Sequence, residues 1–311
     1  MTRSNWHPFD YTLKFYLGEL TLAHVAIPVQ RRVFTLDEIS TRASAGTLPT
    51  LAASQQGVLL ANIPEPVEGA PNDNSDGWLV HCLKRYQRCY IDMGDGFDQY
   101  KSKFSSKSRS SINRKIKKFA EEAGGLDMRI YRSPEEIDTF FSLAGPVSAA
   151  SYQERLLDSG LPRDVKAVEA ARAAATRDEM RAFLLFAHGQ AVSYLYCPVE
   201  DEVLQYAYLG YMPDYAKLSP GTVLQWLALE ALFNEKRFRA FDFTEGDSDH
   251  KRFFSTHQVP CKLELLLRPN LRNRSLMGLH ATLQKTTDAA IALLDRFGLK
   301  QRIKRWIRRA A

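Results

Sequence analysis

Three apolar and aromatic runs lie close together between residues 181 and 211: "RAFLLFA", "AVSYLYCPV" and "VLQYAYLGY". A His188-Gly189 turn separates the first pair and an acidic turn the second, so the pattern predicts an antiparallel meander. Upstream, "LDMRIY" predicts a short strand. "SPEEIDTFFSLA" predicts a helix with Ser133 as N-cap, Pro134 first and Glu136 three after the cap, the capping-box spacing. A second helix is expected around "RDVKAVEAARAAATRDEM". Downstream, Val223, Leu224, Leu227, Ala228, Ala231 and Leu232 recur at helical spacing behind Ser219. A strand "FRAFDF", a polar loop "TEGDSD", a short "HKRFF" helix and a strand "CKLELLLRP" follow. The order β-α-α-β-β-β-α-β-α-β, with helices flanking a mostly antiparallel sheet, makes an α/β (α+β layer) fold.

The Pro-, Gly-, Asn- and Asp-rich stretch from Asn62 to Trp78 is expected to be a loop. After it, "QRCYIDMG" predicts a strand and "YKSKFSSKSRSSINRKIKKFAEEAGG" a basic helix ended by Gly124-Gly125. Ile112, Ile116 and Phe119 form one apolar stripe on that charged rod. Leu276 to Arg309 predicts two helices broken near Gly298.

The 311 residues, 45% hydrophobic and 25% charged, have the makeup of a soluble globular protein. No apolar run approaches the roughly 18–20 residues of a membrane span. The first twenty residues have no uninterrupted apolar core and no small-residue cleavage site, so no signal peptide is expected, and the cytoplasm is the expected compartment. Cys82, Cys89, Cys197 and Cys261 are scattered with no CxxC pair, which suits reduced thiols and argues against a zinc site. The net charge of +6 is concentrated in two segments. Lys101–Lys118 carries eight basic residues and Arg296–Ala311 seven, leaving 27 basic against 36 acidic elsewhere. A general nucleic-acid binder would carry a broader basic face, so nucleic acid is not the expected partner.

The helix start "Lys217-Leu218-Ser219-Pro220-Gly221-Thr222" has its own logic. Ser219 is read as N-cap and Pro220 suits the first helical position, where its missing N–H is no loss. The next N–H groups are expected to lack intrahelical partners and to face outward. Gly221 removes the Cβ that would hold a ligand off the backbone. With the partial positive charge of a helix N-terminus, these six residues form a candidate phosphate or pyrophosphate cradle. A plain strand-to-helix turn is the competing reading.

"LGYMPDYAKLSPGTVLQWLALEALF" followed by "FRAFDFTEGDSDHKRFF" resembles the BioF-like, or CelD-like, acetyltransferase group of the GNAT superfamily, linked to cellulose and polysaccharide biosynthesis. The basic helix resembles the one preceding that group's catalytic half. The resemblance covers roughly Tyr100 to Pro269. It implies acyl-CoA as co-substrate, with no permanently bound cofactor and no metal. The group is distantly similar to Fem aminoacyltransferases, which implies two GNAT-like lobes, each a mostly antiparallel mixed sheet flanked by helices. The lobes would be a degenerate first copy at residues 1–120, ending in the basic helix, and an acyltransferase lobe at 121–270. A basic amphipathic tail would follow at 271–311. One departure stands out: the group's pattern places an aromatic before the lysine after Gly-Asp, whereas Gly246-Asp247-Ser248-Asp249-His250-Lys251 has histidine there.

Acyl transfer from a thioester needs a deprotonated acceptor, a polarised carbonyl and a protonated or stabilised thiolate. Positioning supplies much of the rate, so direct attack requires no covalent nucleophile. Candidate bases are Asp242, Glu245, Asp247 and His250. Asp242 lies between Phe241 and Phe243 and faces the opposite side of its strand, where it is either a base or a salt-bridge partner of Lys251 or Arg252. His250 is expected to titrate near neutrality. Lys251 is read as holding a phosphate or sugar carboxylate. Tyr206 and Tyr208 are expected to share one strand face, with Tyr208 as acid towards the thiolate or as packing.

The expected activity is acyl-CoA-dependent N- or O-acyl transfer, with acetyl as the expected group, to a sugar, nucleotide-sugar or lipid-linked glycan. The tail, with Leu299, Ile303, Trp306 and Ile307 on one face among basic residues, is read as touching an anionic membrane surface or packing on the body. Three alternatives stay open: Fem-like transfer from aminoacyl-tRNA, an acyl carrier protein as donor, and a non-catalytic scaffold of a polysaccharide machine.

Overall fold

A computed structural model describes residues 6–17, 20–43, 47–65, 77–151, 160–246 and 248–296. The chain divides into two compact units, one of residues 1–86 and 259–311, the other Gln87–Gln258. Asp247 and the tail beyond Arg296 lie outside the described residues, as do Gly298 and Trp306.

The first unit is a sheet in the order β1-β2-β3-β11-β4. Its strands are β1 (His7–Leu17), β2 (Leu20–Val33), β3 (Gly57–Pro64), the Leu79–Tyr86 part of β4 (Leu79–Asp92) and β11 (His257–Leu267) from Val259. Helix α1 (Leu36–Ser40) is closed by a Thr35–Glu38 capping box. The alternation of β3 and β11 sorts side chains onto two faces. Leu59 and Leu265 join Leu13, Phe15 and Met277 on one; Val58, Leu60 and Leu266 join Phe34 and Ile39 on the other. Because β3 runs to Pro64, the loop expected from Asn62 begins later: Asn62 is a buried strand residue whose Oδ1 accepts from the Tyr86 hydroxyl at 2.5 Å.

The second unit is a sheet in the order β4-β10-β8-β7-β6-β5, with β9 paired to β7. The strands are β5 (Asp127–Tyr131), β6 (Met180–Ala187), β7 (Gln190–Glu200), β8 (Val203–Gln205), β9 (Tyr208–Tyr211) and β10 (Ala240–Asp242). Neighbours are antiparallel except β10 and β8, which are parallel. Strand β6 is buried throughout because both of its faces are covered. Phe183 and Leu185 pack with α3 (Ser106–Glu122) and α6 (Pro220–Glu235), whereas Leu184 and Phe186 pack with α4 (Ile137–Ala150) and α5 (Val165–Thr176).

The element order expected from Leu126 onward is found with one change: the strand expected over 203–211 is two, β8 and β9. Glu136 accepts from the Ser133 N–H at 3.0 Å, the backbone half of the expected capping box. The basic stretch, expected as one rod, is two helices, α2 (Gly96–Ser102) and α3. The Ser105 side chain accepts from the Ser108 N–H at 3.1 Å and starts α3 afresh. Ile112 and Phe119 of α3 are buried in the core of the second unit. Helix α7 (Asp249–Phe254) follows β10, and α8 (Leu271–Arg296) belongs to the first unit. No helix among the described residues is long and apolar enough to cross a membrane.

Candidate functional site

The site begins with a fault in the meander. Val199 of β7 stands opposite Leu204, but Tyr196 stands opposite Tyr208, so the β8–β9 strand carries one residue more than β7 over that span. This is a bulge at Gln205–Ala207, and it reverses which face the following side chains occupy. Tyr206 therefore packs with Phe241, Phe243 and His250, on the α3/α6 side. Tyr208 faces Tyr196, on the α4 side. The expectation that the two tyrosines share a face fails because simple alternation does not survive an inserted residue.

The bulge coincides with a parting of strands. The parallel pairing of β8 and β10 ends where the Tyr206 N–H donates to the Asp242 carbonyl at 2.8 Å. One residue later the Phe243 N–H donates to Cys89 of β4 at 3.0 Å. Thr244 then turns with φ of 59°. Among the described residues β9 pairs with β7 alone, so its other edge carries no strand.

A short 3-10 helix, Pro213–Leu218, joins that edge to α6. Ser219 sits between the helices in the left-handed region, φ 55° and ψ 46°, and its side chain makes no capping bond. The expected serine cap is thus replaced by a backbone one: the Ser219 carbonyl accepts from Thr222 N–H at 3.0 Å and Val223 N–H at 3.1 Å. Pro220 has no N–H, and both Pro220 and Gly221 are buried, so the N–H groups expected to face outward are largely covered. The cradle is narrower than the sequence implied. Gly221 also has a packing reason, since a Cβ there would lie 3.2 Å from Leu209 and 3.3 Å from Tyr211 of β9. Lys217 is exposed, Leu218 buried and Thr222 half-buried; the Lys118 ammonium donates to the Lys217 carbonyl at 3.4 Å, bringing α3 to the helix start.

Asp242 is buried on the face opposite Phe241 and Phe243, as alternation requires. Its salt-bridge partner is neither Lys251 nor Arg252. Arg88 of β4 donates to one carboxylate oxygen at 2.5 Å, and the Thr244 N–H donates to the other at 3.0 Å. Lys251 donates to the Glu245 carbonyl at 2.6 Å and lies 6.0 Å from the Tyr206 ring centre. His250, capped into α7 through Ser248, packs 4.9 Å from Phe254. Its Nε2 is buried without a hydrogen-bond partner. Burial, with the Lys115 and Lys251 charges, pushes its pKa down to about 4, so it does not titrate near neutrality as its type suggested. Burial also raises the phenols of Tyr206 and Tyr208 and the thiol of Cys197.

Sequence reasoning missed Arg88, one of three basic residues in β4 with Lys84 and Arg85, which burial alone sets apart. It also passed over Gln225 on α6, fully buried among apolar helix positions.

Residues 106–252 match the family model of the acetyltransferase (GNAT) domain. The chain carries a GNAT-type acyltransferase domain. In structure the chain is similar to the C-terminal domain of a protein named as a lysylphosphatidylglycerol synthetase from Agrobacterium fabrum. There the TM-score is 0.50 at 11% identity, over 90% of this chain and 89% of that one. It is similar also to FemX, with a TM-score of 0.50 at 12% identity over 87% of this chain and 90% of that one. At those identities the likeness is one of fold. No curated protein matches the sequence. The matched GNAT-type segment spans α3, the bulged strand, α6 and His250, which is the set of elements around the parted strands.

Proposed function

We propose that the GNAT-type domain transfers an acyl group from acyl-CoA directly to an amino or hydroxyl group of a sugar or cell-envelope glycan precursor. The observation that carries this reading is the parting of β8–β9 from β10 at Tyr206 and Asp242. An extended donor arm bearing amides can pair with the free edge of β9 as an added strand would. That edge leads to the Gly221 N–H, Lys217 and Lys118, which suit the pyrophosphate. Direct attack fits the thiols: Cys89, Cys197 and Cys261 are buried, and burial raises the half-buried Cys82.

In this reading neutral His250 accepts the acceptor's proton, and a tyrosine phenol, Tyr208 as the first choice, supplies one to the thiolate. Burial raises both phenols, which keeps them protonated at neutral pH and makes them weaker acids than a free tyrosine, so delivery to the thiolate rests on position and not on acidity. Asp242, engaged by Arg88 and Thr244, holds the strand at the point of parting. Lys251 fixes the Glu245 loop. The acceptor class rests on the resemblance of the α6 region to the polysaccharide-linked group.

One observation favours a second reading. Lys107 and Arg114, seven positions apart on one exposed face of α3, with Arg109 exposed on another, are basic groups that would suit an aminoacyl-tRNA donor in Fem-like transfer. Thiol release from acetyl-, butyryl- and palmitoyl-CoA, measured with amino sugars and nucleotide-sugars, tests the first reading beside an aminoacyl-tRNA deacylation arm. Turnover with intersecting, sequential kinetics supports it. Deacylation of tRNA without thiol release favours the second, and CoA binding without turnover under any acceptor favours a scaffold.

A further inference from the structure

Gln225 lies in the second turn of α6 with 0% exposure, and neither its amide nitrogen nor its amide oxygen has a hydrogen-bond partner. A carboxamide enclosed in this way has given up hydration at both ends, a cost that leucine or methionine of similar volume would not carry. His250 Nε2 shares this state, but several other buried polar groups of the domain are paired. Ser193 donates to the Gly210 carbonyl, Ser148 accepts from Leu161 N–H, Ser255 donates to the Arg252 carbonyl, and Arg181 is held by Glu235 and Asp178.

The direction of Gln225 follows from helix geometry. It stands four residues after Gly221, so the two share a face, and Ala228 and Leu232 continue the stripe. That face lies on the sheet: the direction in which Gly221 would carry a side chain meets Leu209 and Tyr211 of β9. Helical side chains lean towards the N-terminus, so the carboxamide leans back over the bare Gly221 towards the strand whose second edge is free.

We propose that Gln225 reads an amide of a phosphopantetheine-type arm, donating to its carbonyl and accepting from its N–H. Such a group matches a carboxamide at both ends, whereas an alkyl chain or a lone phosphate matches neither. The inference rests on the acyl-thioester reading above and names the part of the donor that this residue recognises. The same arm occurs on CoA and on an acyl carrier protein.

The experiment is calorimetric titration of wild type, Gln225→Leu and Gln225→Met. The ligands are CoA, 4′-phosphopantetheine, a holo acyl carrier protein and adenosine 3′,5′-bisphosphate, which lacks the arm. Each protein's thermal midpoint is measured in parallel. Both variants are expected to melt no lower than wild type, to bind arm-bearing ligands about tenfold more weakly, and to bind the bisphosphate unchanged. Weakening seen with CoA identifies the nucleotide-linked source, and weakening seen with the carrier protein alone identifies the other; either supports the role. Arm affinity equal to wild type in both variants overturns the assignment to Gln225 while leaving the acyl-thioester reading in place. Equal loss for the arm and the bisphosphate overturns it as a general distortion, and a lowered midpoint with unchanged affinity reveals a purely internal role. Wild type binding none of the arm-bearing ligands overturns the acyl-thioester reading itself, and this inference with it.

Discussion

Replacing Arg88 by methionine isolates the buried pair that anchors the parting strands. Arg88 and Asp242 are 6% and 3% exposed, and the guanidinium lies 2.5 Å from the carboxylate. Methionine keeps most of the apolar stem but leaves the buried Asp242 carboxylate without its counter-charge, its remaining partner among the described residues being the Thr244 N–H. Breaking one side of such a pair costs about 3–5 kcal/mol, because the remaining ion keeps its desolvation penalty and loses its counter-charge. Replacing both partners by apolar residues removes the penalty and the attraction together, so Arg88→Met/Asp242→Leu should recover most of the loss. Urea unfolding of wild type, Arg88→Met, Asp242→Leu and the double variant gives the four corners of the cycle. The coupling should appear as a double variant far more stable than the sum of the single effects implies. A cost below about 1 kcal/mol for Arg88→Met, or additive single effects, would refute the argument, since an exposed pair behaves that way.

Three further outcomes follow from the same geometry. His250 resists protonation in the folded chain down to about pH 4, whereas the unfolded chain takes up the proton near 6.5. Stability should therefore be retained above pH 6.5 and fall as pH drops towards 4, by up to about 3 kcal/mol from this group; unfolding midpoints of wild type and His250→Phe across that window should show a shallower slope in the variant. A Cβ at Gly210 would lie 2.5 Å from the Tyr194 ring, so Gly210→Ala should destabilise by about 1–3 kcal/mol in thermal melts. Lys118→Glu should weaken CoA binding several-fold in dilute buffer, with the difference shrinking in high salt; a salt-independent loss would mean the lysine acts through structure.

What the sequence revealed, and what it concealed, divides by the range of the interaction. The meander, the order of helices and strands, and the Ser133–Glu136 start were legible because each depends on residues within a few positions of one another. The buried direction of Asp242 was legible too, since strand alternation alone sets it. The bulge at Gln205–Ala207 was not, because an extra residue exists only relative to the register of β7. Arg88 and Asp242 are 154 positions apart, and no local pattern joins them. The pKa of His250 is lowered first by burial, then by Lys115, brought in by α3, and by its neighbour Lys251. At the α6 start the residue types were read well and their geometry was not. Ser219 caps through its carbonyl from a left-handed conformation, and Gly221 serves the contact with β9.

The central claim is that the donor lies along the free edge of β9 and reaches the start of α6. Amide hydrogen exchange with and without saturating CoA tests it most directly. Added CoA should slow exchange across 206–211 and at Gly221, with little change in β5 or α5. CoA binding that protects other segments and leaves these amides exchanging as before would contradict it.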